Sequence, residues 1–386
     1  MSTVMKAPLS STRGNRSASA AISASKTRAI AVWAVVGALF LLLEAYVMGS
    51  WVLSEDFAPM PPGPTPLPRW EYLWLIFWQV GGVVALAIFW YGFVYRPWRR
   101  DGRMSLDGLL VICFSLIVWQ DPLCNYIKDW GTYNTDLLNW GSWTEQVPGW
   151  MSPNGSRFVE PLLVMIPVYV WAVLGMAMLG CLVLAKTKER WPNMGTASTI
   201  LFAYAMFIVV DFVLELLWMR TGIWAYPGGG PIHVFFEGSR YQFPIHESLL
   251  WGAAWAGFTC LRYFRDDRGY TLVERGVDEL KMSASQKTGM RFLALFGAVN
   301  VIFVVLYNLP MNLVVMHNDK WAPGVEEVTY MNAYLCGEGT TYACASESVP
   351  IPWGGSMHLS PTGELVPNSA EGPRPEGIVS YKPSLW

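Results

Sequence analysis

Charge is scarce in this chain. Asp, Glu, Lys and Arg make up 15% of its 386 residues while 53% are hydrophobic, a balance that excludes an ordinary soluble domain of this size. The formal net charge is only -2, and the basic residues fall in short clusters between apolar runs, so no nucleic-acid partner is implied. Metal-ligating strings are missing too: HExxH and ExxH do not occur, since His246-Glu247 is followed by Ser-Leu-Leu. A phosphate cradle is absent, because Gly228-Gly229-Gly230 runs into Pro231 without a Lys-Ser/Thr. The expected set of metals and cofactors is therefore none. Cysteines number six. Cys113, Cys181 and Cys260 lie in apolar stretches and read as buried thiols, whereas Cys336 and Cys344 flank a Gly/Thr-rich turn at a spacing that permits a disulfide in an oxidising compartment.

What the chain has in quantity is bilayer-length apolar sequence. Crossing about 30 Å of hydrocarbon takes roughly 20 apolar residues in a helix. Seven runs pass, beginning near Ala29, Trp70, Leu106, Val159, Thr196, Pro244 and Phe292 and ending near Leu53, Tyr95, Tyr126, Leu184, Met219, Phe264 and Met316. The expected fold is all-α, a polytopic membrane bundle of about seven transmembrane helices. Basic residues near helix ends resist translocation. With the N-terminus inside, 19 of the 27 Lys and Arg fall on the inner side: Lys6 to Arg28, Arg96 to Arg103, Lys186 to Arg190 and Arg262 to Arg291. This predicts an N-terminus inside and a C-terminal tail outside, in the inner (cytoplasmic) membrane. Residues 1–28 read as a disordered cytoplasmic arm, 29–316 as the membrane domain and 317–386 as an extracytoplasmic tail.

Ionisable side chains inside a bilayer cost several kcal/mol unless they face protein or water, so each is a functional hypothesis. Glu44, Asp121, Asp211 and Glu215 fall in the outer halves of their helices, with Glu160 and Glu247 about one turn inside outer ends. Asp211 and Glu215 stand four residues apart on one helix face. Two like charges that close cannot both ionise cheaply, which leaves a protonated acid beside a carboxylate. Pairing with Arg220 or His246 to hold helices together is the competing reading. Asp121 and Asn125 share a face beside Pro122, with Tyr126 following, and either bind substrate or cap a helix end. His246-Glu247 opens the sixth run, where an acid also complements the helix dipole. Asn308 and Asn312, again four apart and flanking Pro310, and Asn300 one face along, serve a ligand or act as interhelical amide glue.

These segments carry a resemblance. Asp121-Pro-Leu-Cys-Asn125-Tyr126, Asn139-Trp-Gly-Ser-Trp143 running to Pro148-Gly-Trp150, Asp211 through Glu215, Arg220-Thr-Gly-Ile-Trp-Ala-Tyr226 and Pro244-Ile-His-Glu247 resemble the AveC-like spirocyclases, actinobacterial integral membrane proteins, over about residues 30 to 316. The resemblance implies spiroketal formation or dehydration on a polyketide-like substrate, and it transfers no catalytic residue.

The residues themselves suggest acid–base cyclisation, dehydration or isomerisation of a lipophilic polyketide-, terpene- or steroid-like molecule that enters from the membrane. In this reading Asp211, Glu215, Asp121 and Glu247 are the catalytic candidates. Asn125, Tyr126, Trp143, Trp218, Trp224, His246, Asn308 and Asn312 are the candidates for substrate binding. The expected partners are that small molecule and membrane lipids. A small-molecule or proton-coupled transporter is the alternative, predicting repeats and polar residues through both membrane halves. A non-catalytic lipid-binding subunit, working through its outer loops, is a third.

Overall fold

The structure is a computed structural model that describes residues 12–152, 154–230, 232–316, 321–333, 335, 357–359 and 365–367. Among the described residues, seven helical columns follow in order. They are α1, Thr12–Val52; α2, Arg69–Phe89, continued through a π-helical turn at Trp90–Tyr95 into Arg96–Asp101; and α3, Leu106–Leu116, which tightens to a 3-10 run over Ile117–Asn125. Next come α4, Leu162–Val168, a π turn at Tyr169–Leu174 and Gly175–Arg190; α5, Thr196–Met219; and α6, Ile245–Tyr263. The last is α7, Ala284–Phe303 with a π turn at Val304–Asn308 and a final stretch Leu309–Val315.

Among the described residues six of these are long and apolar enough to cross a bilayer, making this a multi-pass all-α bundle. The seventh expected run is α6. It packs along α5 and against α4, but its 19 residues include His246, Glu247, Ser248 and Arg262, which dilute its apolar character. Helix α1 starts at Thr12, and its bilayer-length part is Ala29–Val52. The Cys336–Cys344 pairing lies outside the described residues.

Local sequence explains most helix ends and bends. Ser105 caps α3 by accepting from Gly108 N, and Ser283 with Gln286 forms a capping box at α7. Pro310 has no N–H to offer and crowds the preceding turn; α7 answers with the π turn just before it. Helices α1 and α7 cross at Gly37 and Gly297, where a Cβ on Gly37 would stand 1.8 Å from Leu293 O. Close backbone approach between small residues is how membrane helices gain contact when lipid is as apolar as their side chains.

The two ends of the bundle differ. At the end carrying most of the basic residues, Arg262 pairs with Asp107 at 2.8 Å and Arg291 with Glu274 at 2.7 Å. At the other end the loops form a cap. Strand β1, Thr132–Tyr133, pairs antiparallel with β2, Trp224–Ala225, with Tyr133 opposite Trp224. Strands β3, Val234–Phe235, and β4, Phe243–Pro244, make a second short pair. The stretch 321–333 is packed into this cap: Ala322 N donates to Pro227 O at 2.7 Å, Thr135 N to Tyr330 O at 2.9 Å, and Thr65 and Thr329 exchange hydrogen bonds. Glu71, fully buried at the start of α2, pairs with Arg240 and meets Tyr330 OH at 3.5 Å. One carboxylate thereby ties α2, the α5–α6 loop and the 321–333 segment into one unit.

Candidate active site

Beneath the cap is a partly enclosed cavity. All four acids expected to be catalytic, Asp121, Asp211, Glu215 and Glu247, line it. They come from three columns and from both ends of helices: Asp121 from the 3-10 end of α3, Asp211 and Glu215 from the last turns of α5, and Glu247 from the first turn of α6. The cap supplies the roof through Trp130, Tyr133, Trp224 and Tyr226, and Trp218, Trp251 and Trp255 form apolar walls.

Each acid has a defined set of donors. Glu215 Oε2 accepts from Trp224 Nε1 and from Tyr226 OH, both at 3.0 Å. Tyr226 OH also lies 3.1 Å from Glu247 Oε1, which accepts from Tyr307 OH at 2.8 Å. A phenol has one proton. Contacting two carboxyl groups through a single oxygen therefore lets it donate to one while accepting from the other, provided the second is protonated. Asp211, Glu215 and Glu247 are all buried and border the same cavity; three such carboxyl groups cannot all carry charge cheaply, so at least one holds a proton. Asp211 Oδ2 and Glu247 Oε2 are buried without a hydrogen-bond partner among the described residues. A buried carboxyl oxygen left unsatisfied is costly, and here the vacant lone pairs belong to groups that border empty space.

Asp121 is held separately, with Tyr169 OH donating to Oδ1 at 2.6 Å and Tyr133 OH to Oδ2 at 2.8 Å. Tyr169 and Tyr307 both sit in π turns, where the extra residue in the turn shifts the register and re-aims side chains. These two tyrosines, with Tyr133 and Tyr226, are the functional candidates that sequence reasoning missed. A π turn leaves no periodic trace, although Pro310 flags the one in α7.

The remaining expected residues divide. Asn125, Trp218 and Trp224 line the cavity; Asn125 does so while folding its own loop, its Oδ1 accepting from Trp130 N and Gly131 N at 2.6 and 2.8 Å. Tyr126 lies in the cap, donating to Pro148 O at 2.9 Å. Trp143 is buried behind α3, donating to Trp119 O at 2.8 Å. His246 packs against Trp130, ring centroids 4.6 Å apart and planes tilted by 38°, with neither ring nitrogen bonded among the described residues. Asn308 donates to Gln120 Oε1 at 3.1 Å, Asn312 to Leu123 O at 2.7 Å, and Asn300 Oδ1 accepts from Trp119 Nε1 at 3.0 Å. These amides lash α7 to the 3-10 run of α3, which is the glue reading. Arg220 does not pair with the acids of α5; it stacks on Phe236 and Tyr241 at 4.6 and 4.7 Å. Glu44 is buried in α1 and does not line the cavity. Glu160 precedes α4 instead of lying within it. Among the described residues no group of three His, Cys, Asp or Glu is arranged to hold a metal ion.

The family model described as spirocyclase AveC-like matches residues 98–331. The chain belongs to this family. The match leaves out α1 and all but the last residues of α2 and reaches past α7 into the cap segment, so the shared unit differs from the span of about 30 to 316 anticipated from the motifs. It contains every acid that lines the cavity together with the loops that roof it. No curated protein and no solved structure matches the chain.

Proposed function

We propose that this AveC-like protein is a membrane-embedded acid–base catalyst that closes rings, forming a spiroketal or carrying out a related dehydration or isomerisation, on a lipophilic polyketide-, terpene- or steroid-like substrate. The observation that carries the reading is the single Tyr226 hydroxyl shared by Glu215 and Glu247. Ring closure onto a carbonyl needs a proton on the carbonyl or departing hydroxyl, a base for the attacking hydroxyl, and surroundings that tolerate positive charge. In this reading a protonated member of the Asp211, Glu215 and Glu247 set donates and an ionised neighbour accepts. Tyr226 passes the proton between Glu215 and Glu247 without water. Asp121, fixed by two phenols, orients a polar group of the substrate. The faces of Trp218, Trp224 and Trp251 stabilise an oxocarbenium ion, and the cap keeps water from trapping it. We further infer from the basic clusters that the capped end faces outward.

The test uses protein in lipid nanodiscs and an open-chain dihydroxy ketone, with mass spectrometry following the loss of water. One spiroketal stereoisomer should form faster than in protein-free discs. Glu215→Gln and Asp211→Asn should each lower turnover by about 10²–10⁴-fold with membrane insertion intact, and chelators should have no effect. A product mixture at the protein-free rate would rule the cyclase reading out.

A further inference from the structure

With the cap as its roof, the cavity can be reached by a lipophilic molecule either through the cap or through the side of the bundle. The side facing α2 is built unlike the rest. The cap-side half of α4, Leu162–Leu174, packs on α2 and α3, and its Met165, Val168, Ala172 and Val173 line the cavity opposite Trp218 of α5. Indole rings fill the seam between these stretches of α4 and α5. Trp171 meets Trp218 edge-on with ring centroids 6.0 Å apart. Trp78 of α2 lies against both, stacked on Trp171 at 6.2 Å with planes 7° apart and edge-on to Trp218 at 6.1 Å.

The aromatic column runs without a break from the lipid face to the cavity. Trp74 and Phe77, 42% and 54% exposed on α2, flank Trp78 at 6.3 and 5.4 Å. At the other end Trp218 meets Trp224 at 5.7 Å, and both border the cavity. The outer leaf of the seam is lightly held. Of the six bilayer-length helices α2 is the least embedded, and over Arg69–Phe89 only Glu71, Leu75 and Gly82 are buried. The Glu71–Arg240 pair pins its cap-side end. Two turns along, Trp78 Nε1 donates to Thr221 Oγ1 at 3.0 Å, and that hydroxyl donates to Trp218 O at 2.6 Å, a latch between α2 and the end of α5. Trp171 Nε1 is buried with no acceptor among the described residues, an N–H that is costly to leave idle.

We propose that Trp78, Trp171 and Trp218 form a lateral entrance through which a lipophilic substrate passes from the bilayer into the cavity, its apolar end staying among the three indoles while its oxygen-bearing end lies beneath the cap against the acids. The inference rests on the reading above that the substrate is lipophilic, not on the reaction it undergoes. Parting the indoles takes side-chain rotation and a small outward shift of α2 once the bond to Thr221 breaks. The packing of α5 on α6, which carries Asp211, Glu215 and Glu247, is left alone. Indole faces give apolar contact and no counter-charge, so the entrance selects a neutral, slender hydrocarbon or fused-ring body over a lipid with a charged headgroup. The idle N–H of Trp171 offers a hydrogen bond to an oxygen on its way through.

Photo-labelling in nanodiscs maps the route. The probe is the open-chain dihydroxy ketone with a diazirine at the end of its alkyl chain, and mass spectrometry locates the adducts after illumination. In the wild type, Trp171, Trp218 and the buried Ala172 should carry adducts that excess unlabelled ketone suppresses, whereas adducts on lipid-facing Leu39 of α1, 62% exposed, should not respond to the competitor. Trp78→Phe keeps a ring but cuts the latch to Thr221, and Trp171→Ala opens the seam. Each should speed labelling of Ala172 several-fold, while Trp98→Ala, 51% exposed at the far end of the α2 column, should leave it unchanged. Absence of competable adducts at the seam in the wild type, whether or not cap residues such as Trp130 are labelled, would overturn the entrance. So would an unaltered labelling rate in Trp78→Phe protein of wild-type helical content. Competable adducts at the indoles of a protein that converts none of the ketone would uphold the entrance and count against the cyclase reading alone.

Discussion

Replacing Tyr226 by Phe removes one oxygen and nothing else, and that oxygen joins the two halves of the acid cluster. The ring itself would stay, packed at 5.2 Å on Trp130 and at 6.1 Å on Phe243. Glu215 would keep its bond from Trp224 and Glu247 its bond from Tyr307, so neither carboxyl group is left bare. Two hydrogen bonds with acids are lost, one donated to a charged carboxylate at about 1.5–3 kcal/mol and one accepted from a protonated acid at about 0.5–1.5 kcal/mol. Solvation of the vacated site and the surviving donors reduce that, and folding stability should fall by roughly 1–3 kcal/mol. The effect on chemistry should be larger. A relay that moves a proton between Glu215 and Glu247 through Tyr226 stops when the hydroxyl is gone, and general acid–base assistance is worth about 10²–10⁴-fold, or roughly 3–5 kcal/mol of barrier. Trp224→Phe is the control: it takes a donor from Glu215 at the same 3.0 Å but breaks no link between acids, and should cost about tenfold or less. The assay is turnover in nanodiscs at saturating substrate, with thermal unfolding of each variant alongside. A Tyr226→Phe protein whose turnover stays within about threefold of the wild type, or matches that of Trp224→Phe, would refute the relay.

Gly37→Ala should destabilise the bundle by about 2 kcal/mol or more, because its Cβ would meet backbone of α7 at 1.8 Å, whereas Gly49→Ala on the same helix meets nothing within 4 Å and should be neutral or slightly stabilising; thermal unfolding in detergent separates the two. Asp129, buried in the cap, is pushed up to about 7 mainly by that burial, against the opposing effects of Ser152 and Lys128. A carboxyl raised on folding contributes stability that is fully present below about pH 4 and lost as pH rises through about 7. The melting temperature of the wild type should therefore decline over that window, and Asp129→Asn should flatten the decline. In a protein stripped of its six native cysteines, an impermeant maleimide should label Glu237→Cys from outside the cell and Ser285→Cys only after the inner face is exposed; the reverse pattern would invert the inferred orientation.

Much of the architecture was legible because a bilayer leaves so few choices. Runs such as Thr196–Met219 had to be helices, since unpaired backbone groups in hydrocarbon cost several kcal/mol each. The same logic marked the acids: Asp211 and Glu215 are conspicuous in an apolar helix, and the structure aims both into one cavity with Asp121 and Glu247. Polarity alone did not separate a ligand-facing group from a structural one. Asn308 and Asn312 satisfy the same requirement by bonding Gln120 and Leu123 O, and nothing in their spacing announced it.

That apolar helices cross a membrane, and that their acids cluster toward one end, follows from residue order alone, because solvation cost is a property of each residue in its own segment. Which acids meet depends on the packing of the helices and loops. Glu215 and Glu247 are joined by a tyrosine from the loop between their helices, and Tyr169 and Tyr307 are turned inward by π turns. Such encounters depend on how helices dock and how loops close over them, a matter of packing between segments distant in the chain, which no local pattern records.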